Sequence, residues 1–558
     1  MSDKKPANFI EEIIEADLEN GLNPDHLRFR FPPEPNGFLH IGHASAICLN
    51  FGLGEKYNKP VNLRFDDTNP AKEESKFVEA IQKDIEWLGY KWDNLCYASD
   101  YFQQLYDWAI QLIKEGKAYV DSQSSEQIAE QKGTPTQPGT NSPYRNRSID
   151  DNLKLFESMK NGEFGESEHV LRAKIDMSSS NMLMRDPIMY RVVNKPHHRT
   201  GNDWKIYPMY DWTHGESDYL EQITHSFCTL EFLPHRELYN WFLDQIVDKD
   251  KIRPKQREFA RRNVSHTVTS KRKLQKLVDD GIVSGWDDPR MTTISGMRRR
   301  GYPAKAIRNF ADSIGIAKRD NLVDMNHLEY FVRDYLNKEA DRVMAVLDPV
   351  KLVITNYPEG KEEILQAENS QEDASRGYRE VPFSKVLYIE REDYREEANK
   401  KFFRLKNGKE VRLKNAYIIK GEGCVKDENG VITEIHATYD PESKSGSGTE
   451  ASMRRVKGTL HWVSAAHAVP VEVRLYDRLF NVPQPDADKD VDFMQFVNKE
   501  SLKTITAFGE PALKDLEVGK TVQFQRMGYF SVDRDSTSEN RIFNRTVTLR
   551  DTWAKIDQ

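Results

Sequence analysis

Apolar positions near the N-terminus recur at helical spacing. Ile10, Ile13, Ile14 and Leu18 predict a helix through FIEEIIEADL. Alternating large residues then predict a short strand from His26 to Phe31, and a Pro/Gly-rich turn, PPEPNGFLHIGH, feeds an apolar helix beginning near Ile41. A second strand, VNLRF at Val61 to Phe65, ends in DDTNP. A helix is expected to start near Pro70, capped by Asn69, to bury Phe77, Ile81, Ile85 and Leu88, and to stop at Gly89. Strand, turn and helix repeated twice predict a parallel α/β layer.

After about Asp100 the pattern changes. GTPTQPGTNSPYRNRS reads as a long loop. Residues 101–209 read as an insertion in an α/β domain built from 1–100 and 210–260, whose signals return at IYPMYDWTH. The stretch 261–341 is helical and basic. From 342 to 558 the texture is β: LKNAYIIKGEGCVKDENGVITEIHATYD alternates around an Asn429-Gly430 hairpin turn. GTLHWV, VEVRLYDRLF and TVQFQRMGYFSV complete antiparallel barrels, and PESKSGSGTEAS reads as a flexible loop. No internal repeat stands out.

Composition changes this picture little. The 558 residues are 30% charged and 38% hydrophobic, enough for several domains of a globular protein. A net charge of -8 does not announce nucleic acid, but binding depends on where basic residues cluster. They thicken between Lys249 and Arg308, in RPKQREFARRN, SKRKLQK and MRRRGYPAKAIRN. Cys48, Cys96, Cys228 and Cys424 lie far apart without a CxxC pair, which speaks against a zinc site or a disulfide framework. The charged N-terminus is unlike a signal peptide, no run is long and apolar enough to span a bilayer, and a cytoplasmic monomer is expected.

The chemistry concentrates in a few strings. In FPPEPNGFLHIGHA the turn between strand and helix suits phosphate, because free N–H groups and the helix dipole meet there. His40 and His43 are three apart and can donate to a phosphoryl group as charge builds on it, and Gly42 lets an adenine ring approach the backbone. Lys271 lies in VTSKRKL, a basic run that taken alone reads as a solvated loop. Asp66 closes the second strand, where a carboxylate can meet a substrate ammonium or simply cap a helix.

FPPEPNGFLHIGH resembles the HIGH signature of class I aminoacyl-tRNA synthetases, in the branch holding the glutaminyl and glutamyl enzymes and closest to the glutaminyl one. Val268-Thr269-Ser270-Lys271-Arg272 is similar to the family's KMSKS loop, departing at Val268, Thr269 and Arg272. The resemblance runs from Phe9 to Lys555. It implies a Rossmann-like doubly wound catalytic domain with an inserted acceptor-binding domain, a helical domain and two anticodon-binding barrels. It implies ATP, with Mg²⁺, held by Glu34, Pro35, Asn36, His40, Ile41, Gly42, His43, Ala44, Ser45, Ala46, Thr229, Arg261, Arg262, Thr269, Ser270 and Lys271. It implies glutamine held by Asp66, Tyr210, Arg30, Cys228 and Gln256, and no protein-bound metal. Glutamyl relatives carry arginine where this chain has Cys228, and a neutral amide needs no such partner. Arg30 fits this only if an internal carboxylate occupies its charge. The tRNA is expected along Ala317, Lys318, Arg319, Asp320, Asn321, Leu322, Val323 and Asp324, with Arg342, Arg404 and Arg412 toward the anticodon.

Overall fold

The computed structural model describes residues 8–550 apart from 249 and 400, so the end of the family-like stretch, through Lys555, lies outside the described residues. The chain divides into two compact units, one of residues 1–263 with 311–323, the other of 264–310 with 324–558.

In the first unit, helix α1 (Phe9–Glu19) is capped by Asn8 and buries Ile10 and Ile14. Residues 24–26 form a turn of 3-10 helix rather than strand, and β1 is confined to Phe29–Phe31. Pro24 explains the difference, since its ring suits the first position of a helical turn. Helix α2 (Ile41–Tyr57) follows, then β2 (Val61–Phe65), α3 (Ser75–Trp87) and β3 (Asn94–Tyr97). α3 begins five residues after Pro70, because a local and a tertiary tie intervene: Glu73 accepts from Asn69 N–H at 2.8 Å, and Glu74 N–H donates to the Pro35 carbonyl at 3.1 Å.

Helix α4 (Phe102–Lys114), β4 (Ala118–Asp121), α5 (Ser125–Gln131), α6 (Ile149–Asn161), β5 (Val170–Ala173), β6 (Ile188–Val192) and β7 (Ile206–Pro208) make up the next segment. Its four strands pair antiparallel in the order β4-β5-β6-β7, and Tyr106 of α4 stacks on Phe156 of α6 at 4.9 Å. Helix α7 (Tyr210–Leu220), β8 (His225–Thr229), α8 (Arg236–Ile246) and β9 (Lys255–Phe259) return to the α/β layer. β1, β2 and β3 are parallel neighbours, as are β8 and β9. Thr224 N–H donates to the Arg28 carbonyl at 3.1 Å, which sets β8 beside β1. Two separately paired parallel sets, β3-β2-β1 and β8-β9, thus lie side by side, and their chain order runs in opposite directions away from the β1/β8 junction, where open α/β sheets leave a crevice at their carboxyl ends.

The second unit holds helices Lys271–Asp279, Ile294–Arg300, Ala304–Ile314 (in part) and Met325–Glu339, followed by two seven-stranded, barrel-like sheets. Phe383, Trp462 and Tyr417 pack inside one, and Phe524, Phe530 and Phe543 inside the other. The Asn429-Gly430 turn joins Ile418–Lys426 to Ile432–Tyr439, with Gly430 at φ +78°. The sheets are not wholly antiparallel. Pro349–Ile354 runs parallel to Ile432–Tyr439, and Val469–Tyr476 parallel to Arg541–Val547. Long connections separate these partners, and only long connections allow parallel pairing. PESKSGSGTEAS is also more structured than its composition suggests: buried Ser443 accepts from Ile418 N–H at 2.8 Å, and Thr449 caps a short helix, Glu450–Met453.

Candidate active site

The turn after β1 is knitted to the end of β2. Asp66 N–H donates to the Pro33 carbonyl at 3.1 Å, and Asn36 N–H to the Glu34 carbonyl at 2.9 Å. His40 caps α2: its Nδ1 accepts from Gly42 N–H at 3.1 Å. His43 Nδ1 accepts from His40 N–H at 3.2 Å, and the rings lie 3.9 Å apart. A backbone N–H always donates, so both Nδ1 atoms are lone-pair acceptors and both protons sit on Nε2. Burial, the neighbouring imidazole and Arg261 hold His40 well below the usual histidine range, and burial with Arg261 lowers His43 to about 4. At neutral pH the pair is two uncharged N–H donors beside a helix N-terminus. Ala44 is fully buried, Ser45 donates back to the Ile41 carbonyl, and a Cβ on Gly42 would fall 2.9 Å from the His40 ring.

At the β1/β8 crevice lies a chain of buried charges. Arg30 is fully buried; its Nε donates to Asp218 Oδ1 at 3.0 Å, its Nη1 to the Phe227 carbonyl at 2.8 Å, and its Nη2 to Ser226 Oγ. Arg64, also fully buried, donates from Nη1 to the same Asp218 oxygen at 2.9 Å, to Glu221 at 3.3 Å, and from Nε to Asp66 Oδ1 at 2.9 Å. Tyr239 donates to the other Asp218 oxygen at 3.0 Å. The arginines hold the Asp218 carboxyl far below its usual range against the effect of burial. Burial pushes Asp66 up to about 6, with Arg64 the main opposing charge. Formally, two guanidiniums face three carboxylates, Asp66, Asp218 and Glu221. The cluster therefore carries one surplus negative charge, and Arg30 has none to offer a ligand.

Tyr210, at the start of α7, packs its ring on His214 at 4.9 Å and on Phe232 at 5.3 Å. Burial lowers His214 to about 3, and its Nε2 lies 3.2 Å from Arg30 Nη2, which can only donate. Burial raises the Cys228 thiol to about 12, so this position is neutral too. Gln256, 2% exposed, gives its amide N–H groups to the Phe232 carbonyl at 3.0 Å and Glu258 at 2.9 Å. Thr229 donates to Glu231 at 2.8 Å.

Arg261 N–H donates to Asp320 at 2.8 Å and Ala260 N–H to the Ala317 carbonyl at 2.8 Å, which anchors the 317–323 run beside Arg261, while Lys318 sits 4.9 Å over the Phe9 ring. Arg262 is 8% exposed, its Nη atoms have no hydrogen-bond partner among the described residues, and burial lowers it to about 10. In the second unit, Ser270 is the N-cap of helix Lys271–Asp279, and Val268 packs with Leu274 and Leu277. Asp324 caps Met325–Glu339, and Arg342 lies in a strand bonded to Asn369. Arg404 pairs with Glu392 at 2.8 Å and Asp393 at 3.3 Å. Arg412 spends its guanidinium on Ser443, Ser445, Ser452 and Arg454, fastening the 441–454 segment.

Asp218, Arg64, Glu221 and His214 escape a reading of motifs. The available signals were charge inside an otherwise apolar strand, at Arg64, and the His214/Asp218 spacing of four on one helix face. Asp67, 0% exposed, accepts from Ser99 N–H at 2.8 Å, Ser99 Oγ at 2.7 Å and His198 at 3.1 Å. With His197 it forms, among the described residues, a group whose ligand atoms lie within 4.8 Å. His197 is not built as a metal ligand. Its Nδ1 accepts from the Arg199 and Thr200 N–H groups, so its Nε2 carries the proton and donates to the Asp67 carbonyl at 2.8 Å. No described helix is long and apolar enough to cross a membrane.

Residues 26–338 match the catalytic domain of "tRNA synthetases class I (E and Q)", and 340–440 and 459–533 match the two anti-codon binding domains of the same family. The chain is 56% identical to a glutamine–tRNA ligase of Rhodopirellula baltica over 557 residues, 100% of this chain and 92% of that one. It is 55% identical to the glutamine–tRNA ligase of Proteus mirabilis over 558 residues, 100% and 99% of the two chains. Among solved structures, a glutamate tRNA ligase of Elizabethkingia meningosepticum is similar with a TM-score of 0.42 and 19% identity, over 56% of this chain and 70% of that one.

Proposed function

We infer that this chain, which belongs to the class I tRNA synthetases of the E and Q group, is an ATP-dependent ligase that joins glutamine to tRNA(Gln). Relatives named for this activity match it over its whole length and over 92–99% of their own. The observation that carries the choice of amino acid is the charge balance beneath the crevice. Arg30 is saturated by Asp218, Cys228 is neutral, and the cluster has one surplus negative charge. An α-ammonium is favoured there. A side-chain carboxylate loses hydration and meets the cluster's surplus negative charge, while a side-chain amide needs only hydrogen bonds.

Two steps follow. The glutamine carboxylate attacks the α-phosphorus of ATP, forming glutaminyl-adenylate and releasing pyrophosphate. The terminal adenosine 2′-hydroxyl then attacks the acyl carbon and releases AMP. Asp66 meets the ammonium, and Tyr210, Arg30, Cys228 and Gln256 surround the side chain. His40 and His43 donate to the phosphoryl oxygens from Nε2. Being neutral, they stabilise developing charge without exchanging protons with solvent near pH 7. Lys271 neutralises the leaving pyrophosphate, and Mg²⁺ accompanies the nucleotide. Glu34, Pro35, Asn36, Ile41, Gly42, Ala44, Ser45, Ala46, Thr229, Arg261, Arg262, Thr269 and Ser270 complete the nucleotide site. Residues 101–209 take the acceptor stem, 261–341 carry the Lys271 loop, and the barrels take the anticodon. The test is pyrophosphate exchange into ATP with glutamine or glutamate, with and without tRNA. Exchange with glutamine, dependent on tRNA, is expected; exchange with glutamate alone would refute the assignment.

A further inference from the structure

Arg64 lies on β2, and Asp66, two residues on, follows directly after the strand's end, within reach of the Arg64 guanidinium. The guanidinium is fully buried and acts as a fork. Nε donates to Asp66 Oδ1 at 2.9 Å, while Nη1 donates to Asp218 at 2.9 Å and Glu221 at 3.3 Å. Asp218 and Glu221 lie at the end of α7, and Asp218 also receives Arg30. The Asp66 main chain is held separately, by its N–H on the Pro33 carbonyl at 3.1 Å. One carboxylate oxygen of Asp66 is thus tied down by Arg64, and the residue, 5% exposed, keeps only a narrow opening to the crevice.

We propose that Arg64 is a positioning residue for the reaction: it clamps one oxygen of Asp66 to the α7 carboxylates and turns the other toward the substrate ammonium. The inference rests on the role given to Asp66 above. A lysine could not replace the fork, since one ammonium on a flexible stem does not hold two carboxylates in a fixed plane. Arg64 also keeps Asp66 ionised, because burial alone drives that carboxyl toward its neutral form and Arg64 is the largest opposing influence.

The experiment is steady-state aminoacylation with the full chain, tRNA and glutamine from pH 5.5 to 8, for the wild type, Arg64→Gln, Arg64→Lys and Asp66→Asn. Arg64→Gln should raise KM for glutamine by about 10- to 100-fold, the range of a charge-assisted hydrogen bond, with KM for ATP little changed. It should move the acid limb of kcat/KM upward by about 1 to 3 pH units. Arg64→Lys should bring the acid limb back toward the wild type yet leave KM raised. A purely structural arginine would alter stability without moving the acid limb. If Arg64→Gln fails to fold, Arg64→Lys decides: a wild-type KM in that variant overturns the proposal. If Asp66→Asn leaves KM for glutamine unchanged, it is the role of Asp66 that fails; if Asp66→Asn raises KM and neither Arg64 variant does, only the role of Arg64 fails.

Discussion

Glu216 is a carboxylic acid placed inside the first unit on helix α7, and it should make stability fall as pH rises. It is 0% exposed, and neither carboxyl oxygen has a hydrogen-bond partner among the described residues. Burial, with Asp218 and Asp211 nearby, raises it well above the usual glutamate range. The sign follows from proton counting. Below the unfolded value of about 4.3 both states hold the proton and no penalty exists. Above it the unfolded chain releases the proton and the folded chain keeps it. Stability is then lost at about 1.4 kcal/mol per pH unit until the folded value is reached. Glu216→Gln keeps the shape and removes the titration, and any cost of burying its amide does not depend on pH. Relative to the variant, the wild type should lose stability steadily as pH rises above the unfolded value. Urea unfolding followed by tryptophan fluorescence measures the difference, and hydrogen exchange of α7 amides assigns it to this unit. Parallel stability curves for the two proteins from pH 5 to 8 would show Glu216 ionised in the fold and refute the reasoning.

Other outcomes follow from the same structure. Asp218→Asn leaves two buried guanidiniums with less compensation; it should destabilise by about 3–5 kcal/mol and raise kcat/KM for glutamate relative to glutamine, read by pyrophosphate exchange with both amino acids. His43→Asn should lower kcat by about 10²–10³-fold with unchanged thermal stability. Because His43 is lowered to about 4, the wild-type rate should show no acid limb from this imidazole between pH 6 and 8, and a limb near 6.5 in single-turnover kinetics that is lost in His43→Asn but kept in Asp66→Asn would contradict its buried, neutral state. Arg412→Met should weaken the fold by about 1–3 kcal/mol, through the carbonyls it leaves unpaired, and expose the 441–454 segment to limited proteolysis.

Much of the site's vocabulary lies in local sequence. The pattern from Phe29 to Phe65 predicts strand, turn, helix and strand, and the structure has them at β1, α2 and β2, because apolar strands and an apolar helix are determined by nearest neighbours and burial. The Asn429-Gly430 hairpin is legible for the same reason: Gly430 needs a positive φ that few residues tolerate. Where a helix starts is less local. α3 waits until Ser75 because a local bond from Asn69 N–H to Glu73 and a distant one from Glu74 N–H to the Pro35 carbonyl hold the preceding residues in a turn. The same holds for the composition of 441–452, which suggests a flexible loop until Ser443 is buried beneath Ile418 and Arg412 is laid across it.

By itself, then, the sequence determined that His40, His43, Asp66 and Cys228 are present, and on which kinds of element, since residue type and periodicity are properties of the chain. It also posed the question of Arg30. Only the tertiary structure could answer it, by bringing Asp218, 188 residues away, within 3.0 Å. Whether an arginine attracts a substrate carboxylate or is already neutralised depends on charges beyond its chain neighbours. Whether an imidazole is a cation or a neutral donor depends on burial and on which nitrogen the backbone occupies. Coulomb forces and desolvation act through space, and folding alone sets those distances.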